Sequence, residues 1–593
     1  MNINQFCLNV ATINGSGSQS SNNILVRSLF RMGLPVGGKN MFPSNIAGLP
    51  TWYTIRVDVQ GHTARLMQND IVVAMNPATL LEDQKSLKSG GCFIFNDELK
   101  FQTELLRKDI NAYAIPFRQI VEPLSDSVKL KKLLTNMVYA GLVSRLLNIP
   151  EEIIDGVIED TFKDKQSVIK TNQAAIQAGR AYAAEHLNAD AFPYKVKAKP
   201  GANDNRILID GNTASAMGLL QAGCTFVAWY PITPSSSLVE RFESYASKYR
   251  RNEKGEALYS VVQAEDELSS ICMVIGAGWA GARAMTATSG PGLSLMAEAA
   301  GLSYYAEIPA VIWDVQRVGP STGLPTRTMQ GDLLSAYTLS HGDTKHVVLL
   351  PADPKECFDL APVAFDLAET LQTLVIVLTD LDIGMNQYIV DRLQVSKEPY
   401  KRGKVLTEQQ LDRGTAFARY KDVDGDGIGY RTLPGTEHEQ AAFFTRGTGH
   451  DEFAKYSENA HHYRANMERL QKKFETAKKL VPAPEVRLVE SSRIGVIYYG
   501  STAEALRESL ASIKSQLSTC RLKSLPFHKD VETFIRSHDR MIVIEQNRDQ
   551  QLRMILCMEF PDLAHKFQSL NQFDGLPLTA EFLTPQLEKR MHL

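Results

Sequence analysis

The sequence predicts a multidomain α/β protein. Three observations carry that expectation: a length of 593 residues, an ordinary globular composition with 44% hydrophobic and 22% charged residues, and apolar strand-like runs alternating with helical patterns along most of the chain. At ~100–200 residues per domain, the length implies roughly three or four domains. The net charge of -3 argues against a nucleic-acid-binding surface covering the molecule. The 7 cysteines are widely spaced, odd in number and never paired as C-x-x-C. That pattern fits reduced thiols in a cytoplasmic protein and gives no signature for an iron–sulfur cluster in this chain. The leading MNINQFCLNVATINGSG lacks a basic segment followed by a long apolar run, and no run of ~20 apolar residues occurs. Neither a signal peptide nor a membrane span is expected.

Taken in order, residues 1–193 read as one α/β unit. CLNVATI is a strand, GSGSQSSNN a turn and ILVRSLFRMG a helix. Strands recur at YTIRVDV and DIVVAM, the latter ending at Asn76-Pro77, and LLTNMVYAGLVSRLL is a helix. YKVKAKPGANDN, from Tyr194 to Asn205, is polar, carries Pro200 and Gly201, and reads as a linker. Residues 205–395 repeat a strand-then-turn theme at TFVAWYPITP, YSVVQAEDE, AMTATSGPG, IPAVIWDVQR, KHVVLLP and TLVIVLTD. Such alternation implies a mostly parallel, doubly wound sheet. Residues 396–488 are polar and break the rhythm, and 489–593 return to α/β with RIGVIYYGSTAEAL and RMIVIEQNRDQQL.

In an open parallel sheet, ligands bind beyond the strand C-termini. The string Tyr230-Pro231-Ile232-Thr233-Pro234-Ser235-Ser236 ends such a strand. Its hydroxyls at Thr233, Ser235 and Ser236 are therefore candidate ligand groups, unless they merely cap the next helix.

YPITPSSS resembles the Y-P-I-T-P-S motif of the 2-oxoacid:ferredoxin oxidoreductases. QAEDELSSICMVIGAGWAGARAMTATSGPGLSLM and DVQRVGPSTGLPT, with Gln330-Gly331-Asp332 close behind, follow in that family's order. The resemblance covers residues 205–593 strongly and 1–190 more loosely. It is closest to subunits acting on 2-oxoglutarate, with a gamma-type domain fused in front of the alpha-type subunit. It implies a pyrimidine-type thiamine diphosphate-binding domain over 205–395 and a transketolase C-terminal-like domain over 489–593.

The resemblance also implies residue roles. A glutamate bonded to the thiamine aminopyrimidine favours the tautomer that activates the cofactor; this is acid–base work suited to a buried carboxyl. Glu265, Asp266 and Glu267 are the candidates. In thiamine enzymes this glutamate precedes a small-residue helix whose glycine comes about nine positions later. Gly276 stands in that relation to Glu267, so Glu267 is preferred and Glu265 is the runner-up. Thr233 and Arg317 hold the 2-oxoacid, with Thr326 assisting; an arginine at a strand end clasps a carboxylate with two hydrogen bonds. Pro231, Ile232, Thr288, Ser289 and Gly290 line the cofactor.

Asp422, Asp424 and Asp426 match the first half of a calcium loop, although Leu433 stands where the bidentate glutamate belongs. They are candidate ligands for a weak cation site. Gly425-Asp426-Gly427 does not read as a diphosphate motif, because no apolar strand leads into it. The loop Asn14–Ser20 matches a phosphate-binding glycine loop only in part and reads as a tight turn.

The resemblance assigns Mg2+ with the diphosphate, and a [4Fe-4S] cluster, to a separate beta subunit. It implies a dimer of alpha–beta pairs that uses coenzyme A and ferredoxin. Pyruvate or a branched 2-oxoacid as substrate, a transketolase or lipoamide-type dehydrogenase component, and a non-catalytic scaffold are the alternatives.

Overall fold

Two compact units divide the chain in a computed structural model that describes residues 2–43, 46, 48–99, 105–414, 417–490, 492–513 and 517–591. The first comprises Met1–Ile209, Met385–Arg392 and Thr579–Leu583, and the second holds the remainder. The break therefore does not follow the Tyr194–Asn205 linker alone. Strand Arg206–Ile209, which reads from sequence as the start of the second α/β region, pairs antiparallel with Tyr388–Asp391 inside the first unit. Sequence order cannot foretell such a return of the chain.

The first unit is built on a six-stranded sheet. Its order is Val36–Met41, Pro50–Val57, Phe6–Ile13, Asn69–Ala74, Leu87–Asn96, Asn111–Ile115. The first two pairings are antiparallel and the rest parallel. Helices Val128–Leu147 and Gln166–His186 touch backbone to backbone. A Cβ on Gly141 would meet Ile176 O at 2.1 Å, and one on Gly179 would meet Val138 O at 2.0 Å. Only glycine permits that approach.

The second unit holds two sheets. The larger runs Ser260–Gln263, Phe226–Trp229, Ala284–Thr288, Ala310–Gln316, Leu374–Asp380, Val347–Leu349, Ser524–Leu525, parallel except at the last strand. Its central strands Ala310–Gln316 and Leu374–Asp380 are buried on both faces, as a parallel sheet covered by helices requires. The smaller sheet runs Glu485–Arg487, Ser518–Arg521, Ile494–Tyr498, Arg540–Glu545, Phe567–Asn571. One apolar core joins them, with Ile312 and Ile376 from the larger sheet and Ile497 and Val543 from the smaller. No helix among the described residues is long and apolar enough to cross a membrane.

The polar segment after residue 395 is anchored by buried charge. On helix Ala460–Leu480, Arg469 bonds both carboxylate oxygens of Glu307, at 3.0 and 2.5 Å, and Lys473 Nζ adds a bond at 2.8 Å. Arg419 donates to the Glu307 carbonyl at 2.7 Å. Burial pushes the Glu307 carboxyl up, but Arg469 and Lys473 outweigh it and hold it well below the usual carboxylate range. The stabilisation is thus fully present above the unfolded glutamate pKa of ~4.3 and is lost as the pH falls through the depressed folded value. Glu307→Ala would leave three buried cations uncompensated. It is expected to cost about 3–5 kcal/mol, read as a lower Tm.

Candidate active site

The strands of the larger sheet end at a cluster of polar side chains. Strand Phe226–Trp229 runs into Tyr230 and an exposed Pro231, then a half-buried Ile232 and Thr233 and a cis Thr233–Pro234 peptide. The hydroxyls of Ser235 and Ser236 both donate to Ile232 O, at 3.0 and 3.2 Å. They stabilise the turn, so two of the three hydroxyls read from sequence as ligand groups are committed elsewhere.

The acidic turn resolves into three environments. Glu265 is exposed. Asp266 caps helix Glu267–Trp279, accepting from Ser269 N and Ser269 Oγ at 2.7 Å each. The Ser269 amide holds the Asp266 carboxyl below its ordinary value, so here the helix start wins over like-charge repulsion. Glu267, the first residue of the helix, is only 7% exposed and turns inward. It lies against the turn after strand Ala284–Thr288. A Cβ on Gly292 would come within 2.7 Å of Glu267 Cγ, 2.9 Å of its Oε1 and 2.0 Å of Thr288 Oγ1. Gly292→Ala is therefore expected to displace the Glu267 carboxyl. The cost is about 1–3 kcal/mol of stability by overpacking, measured by thermal unfolding, and turnover falls with it.

Arg317 follows strand Ala310–Gln316 and is 7% exposed. Its Nη1 donates to Thr233 O at 2.8 Å, which ties the two predicted substrate residues together. Burial draws the Arg317 pKa down, while the charges of Asp332 and Glu267 draw it up. The loop beyond folds back through Val318 N to Arg327 O (3.1 Å), returning Thr326 towards Arg317. Thr326 is buried and its Oγ1 accepts from Arg327 Nη1 at 3.4 Å. Thr288 and Ser289 are fully buried, and a Cβ on Gly290 would lie 2.7 and 2.8 Å from the Asp332 oxygens.

Two residues with no role assigned from the sequence stand out. Asp314 is 0% exposed with neither oxygen hydrogen-bonded, and Asp332 has its Oδ2 enclosed and unpartnered. A carboxylate inside the apolar run AVIWDVQ was the available signal, because a buried charge needs a reason. The smaller sheet's domain clamps the loop that carries Asp332. Gln330 Nε2 donates to Tyr499 O (3.0 Å), Gln330 Oε1 accepts from Gln546 N (3.0 Å), and Asn547 Nδ2 donates to Gln330 O (3.0 Å).

Ser289 Oγ and Arg317 Nε are likewise buried without partners. Such a concentration of unsatisfied polar atoms, beside glycines that open the turn to close approach, fits a polar ring-bearing ligand.

Residues 217–476 match the family described as "Pyruvate flavodoxin/ferredoxin oxidoreductase, thiamine diP-bdg", and residues 8–182 that described as "Pyruvate ferredoxin/flavodoxin oxidoreductase". The 2-oxoglutarate synthase subunit KorA of Methanothermobacter thermautotrophicus is 37% identical over 304 residues, covering 50% of this chain and 75% of that one. The chain belongs to the alpha subunits of the 2-oxoacid:ferredoxin oxidoreductases. The alpha subunit of 2-oxoacid:ferredoxin oxidoreductase 2 from Aeropyrum pernix is 29% identical across 91% of both chains. A solved 2-oxoglutarate:ferredoxin oxidoreductase from Magnetococcus marinus, with 2-oxoglutarate, coenzyme A and succinyl-CoA bound, superposes with a TM-score of 0.88 at 28% identity. It covers 99% of this chain and 100% of that one. The alpha subunit thus carries the family's gamma-type domain at its N-terminus and its thiamine-binding domain behind it.

One expectation for this alpha subunit is corrected. Asp422, Asp424 and Asp426 do not form a cation site. Lys404 Nζ lies 2.7 Å from Asp424 and 2.8 Å from Asp426, and Lys472 Nζ lies 2.9 Å from Asp422. Two ammonium groups already pair with all three carboxylates. Among the described residues no group of three or more His, Cys, Asp or Glu could hold a metal ion.

Proposed function

We propose that the chain is the alpha subunit of a 2-oxoglutarate:ferredoxin oxidoreductase. In this reading the complex converts 2-oxoglutarate and coenzyme A to succinyl-CoA and carbon dioxide while reducing ferredoxin. A beta subunit brings Mg2+, the diphosphate grip and a [4Fe-4S] cluster, in a cytoplasmic dimer of alpha–beta pairs. The observation that carries the reading is the placement of Glu267, buried against Gly292, with Arg317 bonded to Thr233 O beside it. The names of the KorA relatives and of the Magnetococcus marinus enzyme support 2-oxoglutarate over other 2-oxoacids.

When bound, thiamine diphosphate supplies the nucleophilic carbon and the electron sink for decarboxylation. Glu267 would hold the proton shared with ring nitrogen N1′, and the Gly290–Gly292 turn would let the ring reach that carboxyl. The Arg317 guanidinium would pair with the carboxylate next to the substrate carbonyl, and Thr233 would orient that carbonyl. Thr288 and Ser289, fully buried, would keep water from the bound ring.

The test is purification with the native beta subunit, then viologen reduction with 2-oxoglutarate, pyruvate and a branched 2-oxoacid, each with and without coenzyme A. Fastest reduction with 2-oxoglutarate, dependent on coenzyme A, is expected. Preference for pyruvate would overturn the substrate, and no reduction with any acid would overturn the activity.

A further inference from the structure

The loop that carries Arg317 and Thr326 is braced to itself. Leu324 N donates to Val318 O and Val318 N to Arg327 O, both at 3.1 Å. Residues 318–327 therefore move as one body, and residues 320–324 at its tip are exposed. Such a body is positioned by its two ends. One end is the strand Ala310–Gln316. The other, residues 328–331, is held by the domain of the smaller sheet. Thr328 N donates to Gly575 O at 3.2 Å, and Gly331 O accepts from Gln551 Nε2 at 2.6 Å.

Gln330 is the centre of that hold. It is 0% exposed, and all four of its polar groups bond the smaller sheet's domain. Its backbone N–H donates to Gln546 O at 2.9 Å, and its carbonyl accepts from Asn547 Nδ2 at 3.0 Å. Its Oε1 accepts from Gln546 N and its Nε2 donates to Tyr499 O, each at 3.0 Å. Gln546 is fixed in turn. Its Nε2 donates to Ser501 Oγ at 2.9 Å, and Ser501 Oγ donates to Asp380 Oδ2. Asp380 lies opposite Gln316 in the larger sheet, one residue before Arg317. The latch thus closes on the strand from which the loop departs. An apolar side chain would fill this contact at less desolvation cost, whereas directional bonds fix a single position.

We propose that Gln330 is a positioning residue for the 2-oxoacid: through it, the smaller sheet's domain sets where the loop bearing Arg317 and Thr326 stands. The inference rests on the 2-oxoacid reading of that loop. It gives a domain that carries no proposed substrate ligand a part in substrate binding.

Gln330→Met keeps the length of the side chain but has no amide to bond Gln546 N and Tyr499 O. One end of the loop loosens, and Arg317 and Thr326 lose their place against the substrate carboxylate. KM for the 2-oxoacid is expected to rise about tenfold, with kcat within about threefold of wild type. The effect acts through Arg317. In an Arg317→Ala background Gln330→Met is therefore expected to raise KM by less than about twofold.

Steady-state kinetics on the assembled complex test the proposal. A merely structural glutamine would lower Tm and leave KM unchanged, and that result would overturn it. So would a full tenfold rise of KM in the Arg317→Ala background. Should Gln330→Met not assemble, Gly575→Ala takes its place. Gly575 has φ +80°, and a Cβ there would lie 3.2 Å from Arg327 Cβ and 3.3 Å from Val318 Cγ2, so it presses on the same loop. A rise of about threefold in KM is expected, and an unchanged KM overturns the proposal. If the wild-type complex turns over no 2-oxoacid, the activity reading fails instead, and hydrogen exchange judges the latch. Faster exchange of the 318–327 amides in Gln330→Met, with the six-stranded sheet of the first unit unchanged, supports it; unchanged exchange in the loop overturns it.

Discussion

Glu267→Gln is expected to lower kcat of the assembled oxidoreductase by about 10²–10⁴-fold, the contribution of a well-placed acid–base group. Glutamine keeps the shape of the side chain and can still fill the space beside Gly292, so assembly with the beta subunit should survive. What it lacks is a proton that can be shared with a ring nitrogen. KM for the 2-oxoacid should change little, because the proposed role of Glu267 is towards the cofactor and not the substrate. Glu265→Gln is the matched control. Glu265 is exposed and two residues upstream, so its loss should leave kcat within a factor of about two. Viologen reduction gives kcat, and co-elution of the two subunits reports assembly. Full activity in Glu267→Gln would sink the assignment of the catalytic glutamate.

Arg317→Ala carries the second large effect, and it falls on KM. A charge-assisted hydrogen bond to a carboxylate contributes about 1.5–3 kcal/mol, equivalent to a factor of roughly 10–150. Truncation also removes the donor to Thr233 O, so the turn that bears Thr233 loses its tether. KM for the 2-oxoacid is expected to rise about 100-fold with a smaller fall in kcat. Arg317→Lys should recover part of the loss, because it restores charge without the planar fork. Equal KM values for wild type and Arg317→Ala would exclude this arginine from substrate binding.

Much of the site is legible in the sequence because its residues follow strands. A strand ending at Trp229, another ending at Thr288 and a third ending at Gln316 place their following turns on one edge of a parallel sheet. Of the two glutamates weighed in the acidic turn, Glu267 is buried and Glu265 exposed. Ser235, Ser236 and the 422–426 aspartates fared differently. Their functional reading depends on which neighbours take up their hydrogen bonds and charges. Those neighbours are a carbonyl three and four residues back for the serines, and lysines 20 to 50 residues away for the aspartates.

The sequence by itself determined the α/β class, the turns that carry Thr233, Glu267, Gly290 and Arg317, and the family resemblance, because strand periodicity and local motifs are written in adjacent residues. Tertiary structure alone decided how those turns meet. The bond from Arg317 to Thr233 spans 84 residues, the contact of Glu267 with Gly292 joins a helix to a separate turn, and Gln330 is held by residues more than 160 positions away. It also enclosed the Asp314 carboxyl with neither oxygen hydrogen-bonded, because which elements cover the two faces of a strand is settled by packing and not by adjacent residues.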